Sequence, residues 1–174
     1  DEIVLSAFSK LKKEFSDIKL LIAPRHLTRL DEVKSLTEKT GLKFGQRSNG
    51  DTFEDNEIII LDTMGELSKM YQICDLAFIG GSFNKTGGHN PLEVYDKPVV
   101  SGPSIHNFRD IYWILGRSKA GKVVKTPQEL TNYMEKLLAD KDFYTQACED
   151  CKTVFASQQG AMVVVIEKLG KILG

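Results

Sequence analysis

Residues 57–72 read EIIILDTMGELSKMYQ, and the fold turns on how that stretch divides. Glu57-Ile58-Ile59-Ile60-Leu61 is an unbroken apolar run of strand length, rich in β-branched residues. Successive side chains in a strand point to opposite faces, so a run like this needs cover on both. Such strands belong in parallel sheets sandwiched between helices. Asp62 to Glu66 then carry turn chemistry, and helical spacing runs from about Gly65 to Gln72.

The rest of the chain repeats that alternation. Strands are expected at 19–23, 42–47, 76–79, 98–100 and 122–124, each a short apolar run bounded by Gly, Pro or polar residues. Helices are expected at 3–15, 29–40, 91–95 and 108–115, with Gly41 past the end of the second as a C-cap. From 127 to 173 the pattern gives two or more helices, with a break near Asp140 or Ser157. Strands alternating with helices predict a Rossmann-like, doubly wound parallel α/β fold in a single domain.

The chain has 174 residues, is 41% hydrophobic and carries a net charge of −1. It can build an ordinary core, and it offers no global field for nucleic acid, so any anion site must be local. No apolar run approaches the ~18 residues that cross a bilayer. Asp1-Glu2 followed by an amphipathic segment is not a signal peptide and reads as the start of a piece cut from a longer protein. The three cysteines give no disulfide framework, and Cys148 and Cys151 read as two residues of one helix with no second pair to complete a zinc site. The apolar run Ala161 to Ile166 reads as a helix packing on the sheet.

In doubly wound folds ligands bind beyond the carboxyl ends of the strands, and the unusual residues gather there. Pro24-Arg25-His26 follow the first strand, and Asp62 to Glu66 follow the third. Gly80-Gly81-Ser82 and Gly87-Gly88-His89-Asn90-Pro91-Leu92-Glu93 follow the fourth, and Ser101-Gly102-Pro103 with His106-Asn107-Phe108 follow the fifth. Two of these have a purely structural reading: Thr63-x-x-Glu66 fits a capping box, and Asn90-Pro91-x-Glu93 fits N-cap, N1 and N3. The glycines do not. Gly80, Gly81, Gly87 and Gly88 within nine residues imply backbone brought close to something, or positive φ. At a helix N-terminus that would make an anion or nucleotide site, although the spacing is neither GxGxxG nor a P-loop.

The run GGSFNKTGGHNPLEVYDKPVVSGPSIHNFRDI, residues 80–111, resembles the signature of the Kdo transferases, which attach 3-deoxy-D-manno-octulosonic acid to lipid A and have the GT-B glycosyltransferase fold. Ala23-Pro24-Arg25-His26 matches that family's APRH, and residues 62–67 match its DTMGEL, with Tyr71 following. The resemblance covers nearly the whole chain. It implies the C-terminal, donor-binding domain of a two-domain inverting enzyme, with the acceptor site, the catalytic base and the membrane-associated surface in an N-terminal domain not in this sequence. It further implies CMP-Kdo as donor, a lipid A precursor as acceptor, no cofactor or metal, and a place on the cytoplasmic face of a bacterial inner membrane. This piece alone would be soluble and inactive, with no catalytic residue of its own.

Carried over residue by residue, the resemblance sets Arg25 and the Met64-Gly65 turn near the cytidine, with Pro24, Glu66 and Gly81 also counted among the donor-binding residues. It sets Ser82, Gly87, Gly88 and Asn90 toward the phosphate, and Glu93 toward the ribose hydroxyls. His26 and His89 would orient the sugar carboxylate or brace a loop, while His106 reads as a loop residue. The sequence departs from the pattern where only Val94-Tyr95-Asp96 separate Glu93 from Lys97, and where Ser104 replaces a common histidine. A loop that usually precedes the first helix is absent from this sequence. Two other readings stay open: another GT-B or UDP-GlcNAc epimerase-like domain, and a non-catalytic nucleotide-binding domain.

Overall fold

A computed structural model of the chain describes the backbone of residues 1–173 and the side chains of residues 1–157. In chain order the elements are α1 (Glu2–Leu11), β1 (Leu20–Ile22), α2 (Leu30–Glu38), β2 (Phe44–Gln46), β3 (Ile58–Ile60), α3 (Leu67–Ile73), β4 (Ala77–Ile79), β5 (Val99–Ser101), α4 (Arg109–Leu115), β6 (Gly121–Val123), α5 (Pro127–Ala139) and α6 (Lys141–Leu173). Four short 3-10 turns, 27–29, 47–49, 91–94 and 106–108, lie at junctions between them. Every strand falls within or against the expected apolar run, and the helical break near the end falls at Asp140.

The chain forms two compact units, one of Asp1–Ile73 with Thr126–Leu138 and the other of Cys74–Lys125 with the chain from Ala139 onward. In the first, β3 lies between β1 and β2, parallel to both, with Ile58 opposite Leu20 on one side and Phe44 on the other. Ile58, Ile59 and Ile60 are all buried, as a central parallel strand requires. Leu5 and Phe8 of α1 and Val33 of α2 pack with Ile22, Ile58 and Ile60. Helix α1 stops at Leu11 rather than Phe15, and turns bonded to Lys10 and Leu11 carry the chain on.

In the second unit β5 lies between β4 and β6, again parallel to both. Each unit therefore holds its own three-stranded parallel ladder, six strands of the expected α/β type. Tyr112 and Leu115 of α4 and Cys151 and Val154 of α6 are buried in this unit. Cys148 and Cys151 share α6 as expected, and the Cys151 thiol donates to the Ala120 carbonyl at 3.4 Å. Burial pushes the Cys151 thiol up to about 12, where it has no thiolate chemistry at neutral pH. The run Ala161–Ile166 lies outside the side chains described.

One expected helix takes another form. Asn90 caps as its position predicts, its side-chain oxygen accepting from the Leu92 amide at 3.1 Å, with Pro91 at the first position. The element it caps is a four-residue 3-10 turn, Pro91–Val94, ended by Tyr95 at φ +62° and ψ −90°. Only three residues separate Glu93 from Lys97, too few to continue a helix and still reach β5.

Candidate functional site

Because β1, β2 and β3 are parallel, their carboxyl ends share one edge of the first unit. Pro24, Arg25 and His26 leave β1 there, with Arg25 and His26 exposed. His26 has extended backbone at the head of the 27–29 turn. Beyond β3, Met64 is 86% exposed, beside Gly65 at φ +80°. The thioether thus stands in solvent at a turn made by a left-handed glycine.

That turn is braced from below by residues whose part was not apparent from the sequence. Asp62 accepts from the Gln46 side-chain amide at 2.8 Å, from the Ser48 amide at 2.8 Å and from the Ser48 hydroxyl at 2.6 Å. Glu66 accepts from the Thr63 hydroxyl, and its Oε1 lies 3.1 Å from Nη2 of Arg47. The expected capping box is thus replaced. Glu66 stands one residue ahead of α3, and the pair meets hydroxyl to carboxylate. Gln46, Arg47 and Ser48 close and follow β2, and their only signal in sequence is a polar triplet ending a strand.

Both carboxylates are held below the ordinary value near 4. Partial burial pulls Asp62 up, but the hydrogen bonds from Ser48 and Gln46 outweigh it. For Glu66 the Thr63 hydroxyl has the largest effect and Arg47 the next. A carboxyl group with a depressed folded-state pKa stabilises the fold above its unfolded value, and this is lost as pH falls through the folded one. Thermal melts should therefore lose midpoint below about pH 4. The decline should be shallower in Asp62→Asn with Glu66→Gln. Parallel declines would show that this network does not govern acid stability.

In the second unit the carboxyl ends of β4 and β5 carry two loops that are bonded together. Gly81, Gly87 and Gly88 have φ of +70°, +90° and +76°, as the clustering of glycines anticipates, while Gly80 does not. Gly87 and Gly88 are buried, His89 and Asn90 half-buried, and Glu93 exposed. The His89 ring lies 3.5 to 4.0 Å from where a Cβ on Gly80 or Gly81 would stand, so it lines this loop.

Two features of this geometry bear on the expected phosphate contacts. Ser82 has 0% exposure, and its hydroxyl donates to the Ile79 carbonyl at 2.6 Å while accepting from the Gly102 amide at 2.8 Å. It ties the end of β4 to the loop after β5 and does not offer its hydroxyl to a ligand. The helix N-terminus expected to hold an anion is a single 3-10 turn, and one turn sums too few peptide dipoles to match a longer helix. Any anion binding at this edge falls to the backbone of the glycine loop. Even there the Gly88 amide is already given to the Gly81 carbonyl at 3.0 Å. Among the described residues, no group of three His, Cys, Asp or Glu side chains could hold a metal ion.

No family model matches the chain. The 3-deoxy-D-manno-octulosonic acid transferase of Haemophilus influenzae is 35% identical over 173 residues, covering 97% of this chain and 40% of that protein. The enzyme of the same name from Aquifex aeolicus is 34% identical over 142 residues, covering 80% of this chain and 39% of that protein. The chain thus spans about two fifths of the length of these curated relatives. Among solved structures, the C-terminal CMP-Kdo binding domain of WaaA from Acinetobacter baumannii matches with a TM-score of 0.81 and 28% identity, covering 88% of this chain and 82% of that one. Matched along nearly its whole length in sequence and in fold, the chain belongs to the Kdo transferase family, in the part that corresponds to the C-terminal domain of a GT-B glycosyltransferase.

Proposed function

We propose that this chain is a single donor-binding domain that holds CMP-Kdo for an enzyme transferring Kdo to a lipid A precursor. The observation that carries this reading is the structural likeness to a domain described as binding CMP-Kdo, at 28% identity over 88% of the chain. The strand-end residues support it unit by unit. In the first, Pro24, Arg25, His26 and the Met64-Gly65 turn receive the nucleoside. The exposed Arg25 offers a planar fork suited to a base carbonyl or a phosphate. Glu66 shapes that turn through Thr63 and Arg47. In the second, the loop of Gly81, Gly87, Gly88, His89 and Asn90 receives the phosphate, and the exposed Glu93 carboxylate accepts from the ribose diol.

In the transfer itself, an acceptor hydroxyl oxygen bonds to the anomeric carbon of Kdo with inversion. The bond from that carbon to the phosphate oxygen breaks, and CMP departs with the electron pair. The hydroxyl proton passes to a base outside the described residues. This chain contributes by fixing the donor and by stabilising the charge that grows on the phosphate. Acceptor binding and attachment to the cytoplasmic face of the inner membrane fall, in this reading, to other parts of the enzyme. Among the described residues no helix is long and apolar enough to cross a membrane.

Titration of the chain with CMP, UMP and AMP, followed by amide NMR, tests the reading. CMP should bind tightest, with shifts at residues 24–26, 64–66 and 81–93. Incubation with CMP-Kdo and acceptor should give no transfer, since the relatives carry more than half their length outside the match. Equal binding of all three nucleotides, or none, would sink the proposal.

A further inference from the structure

The loop after β5 does more than connect. Asn107 donates its side-chain amide to the Thr86 carbonyl at 2.8 Å and to the Gly88 carbonyl at 3.5 Å. Its own backbone amide donates to the Gly87 carbonyl at 3.3 Å. One residue thus holds three consecutive carbonyls, those of 86, 87 and 88. The contact is close on its other side too. A Cβ on Gly87 would stand 2.7 Å from Nδ2 of Asn107 and 2.5 Å from Nε2 of His106. The far end of the same connection is tied as well, the Ser104 amide donating to the Ser82 carbonyl at 2.8 Å.

In a trans peptide the carbonyl and the next residue's N–H point in opposite directions. Drawing the Thr86 and Gly88 carbonyls to Asn107 therefore turns the Gly87 and His89 N–H groups away from it, while the Gly88 N–H between them stays bonded to the Gly81 carbonyl. Backbone amides turned to one side are the groups that draw an anion in such loops, and here Asn107 sets the planes that carry those of Gly87 and His89. Gly87 and Gly88, both at positive φ, add no side chain of their own to that stretch.

We propose that Asn107 is a positioning residue for the donor's phosphate, acting through the peptide planes of residues 86–89 without touching the ligand. The inference rests on the donor-binding reading above and adds to it a residue outside the glycine segment.

Cytidine and CMP share a base and a ribose, so the ratio of their affinities isolates the phosphate. Asn107→Ala keeps the backbone bond to Gly87 and removes only the side chain. It should lower CMP affinity about tenfold, the factor expected from losing one or two ordinary hydrogen bonds. Cytidine affinity should stay within about twofold, well inside the contribution of one such bond. Asn107→Asp, of the same shape, sets a carboxylate against two carbonyl oxygens and should lower CMP affinity further. If either variant keeps the parent's ratio of CMP to cytidine affinity, or loses both ligands equally, Asn107 is a structural residue only and the inference fails. If Asn107→Asp does not fold, Asn107→Ala decides alone. A parent chain that binds CMP no better than cytidine would overturn the phosphate site itself, and the inference with it, before any variant is made.

Discussion

Gly87→Val is expected to weaken CMP binding by at least about tenfold, or about 1.4 kcal/mol, in a chain that still folds. The new Cβ would stand 2.5 Å from the His106 ring and 2.7 Å from the Asn107 amide, both of which must move aside. Both are side-chain ends in an exposed stretch, so the chain can yield there without unfolding. It cannot at the same time keep the orientation those groups impose on the glycine loop. Positive φ adds a backbone cost of about 1–2 kcal/mol for a side chain at this position. Gly50→Val separates the two effects, since Gly50 has φ +82° with nothing within 4 Å of its Cβ position, and it lies in the other unit. Thermal midpoints should fall for both variants, and CMP affinity for Gly87→Val alone. A Gly87→Val protein that binds CMP like its parent would remove the glycine loop from the phosphate site.

Gly102→Ala should be the most damaging single methyl in the second unit. Its Cβ would meet the Ser82 carbonyl oxygen at 2.5 Å, the Ser82 carbonyl carbon at 2.7 Å and the Phe83 ring at 2.6 Å. Two of those three atoms are backbone, which cannot swing away. The same glycine donates its amide to the buried Ser82 hydroxyl at 2.8 Å, so any retreat also stretches that bond. Overpacking of this kind costs about 1–3 kcal/mol, and backbone contact puts it at the upper end. For a chain of this size about 3 kcal/mol lowers the melting midpoint by roughly 6–12 °C. Differential scanning calorimetry measures it. A fall of less than about 2 °C, under 1 kcal/mol on the same scale, would show that the two loops part without cost.

The strands were legible because parallel strands buried on both faces need uninterrupted apolar runs, and Ile58-Ile59-Ile60 can be little else. The positive φ of Gly81, Gly87 and Gly88 was legible for a related reason, since four glycines so close together carry an entropic cost that an ordinary loop avoids. The resemblance sets Ser82 toward the phosphate, whereas its hydroxyl's bond to an amide 20 residues further along has no local signal in sequence. Arg47 and Asn107 carried too little local signal. Each is a single polar residue whose partners lie 19 to 21 residues away in sequence. The 91–94 turn was half legible: the cap and proline mark its start, but its end is set by the distance to β5.

The first unit is discontinuous, and this bears on how the protein is made. Its opening segment ends at Ile73, and its closing piece, Thr126–Leu138, comes only after residues 74–125 have been laid down. Leu130, Met134 and Leu137 of that piece are buried in the finished chain. At about 5–20 residues per second, a ribosome takes roughly 3–10 s to cross the intervening segment. For that interval the first unit lacks its closing helix. The entropic cost of closing so long an insertion rises only with the logarithm of its length, so the delay is kinetic and scarcely thermodynamic. Because the chain crosses between the units three times, no single cut releases both whole, and neither can be shed or exchanged without unmaking the other.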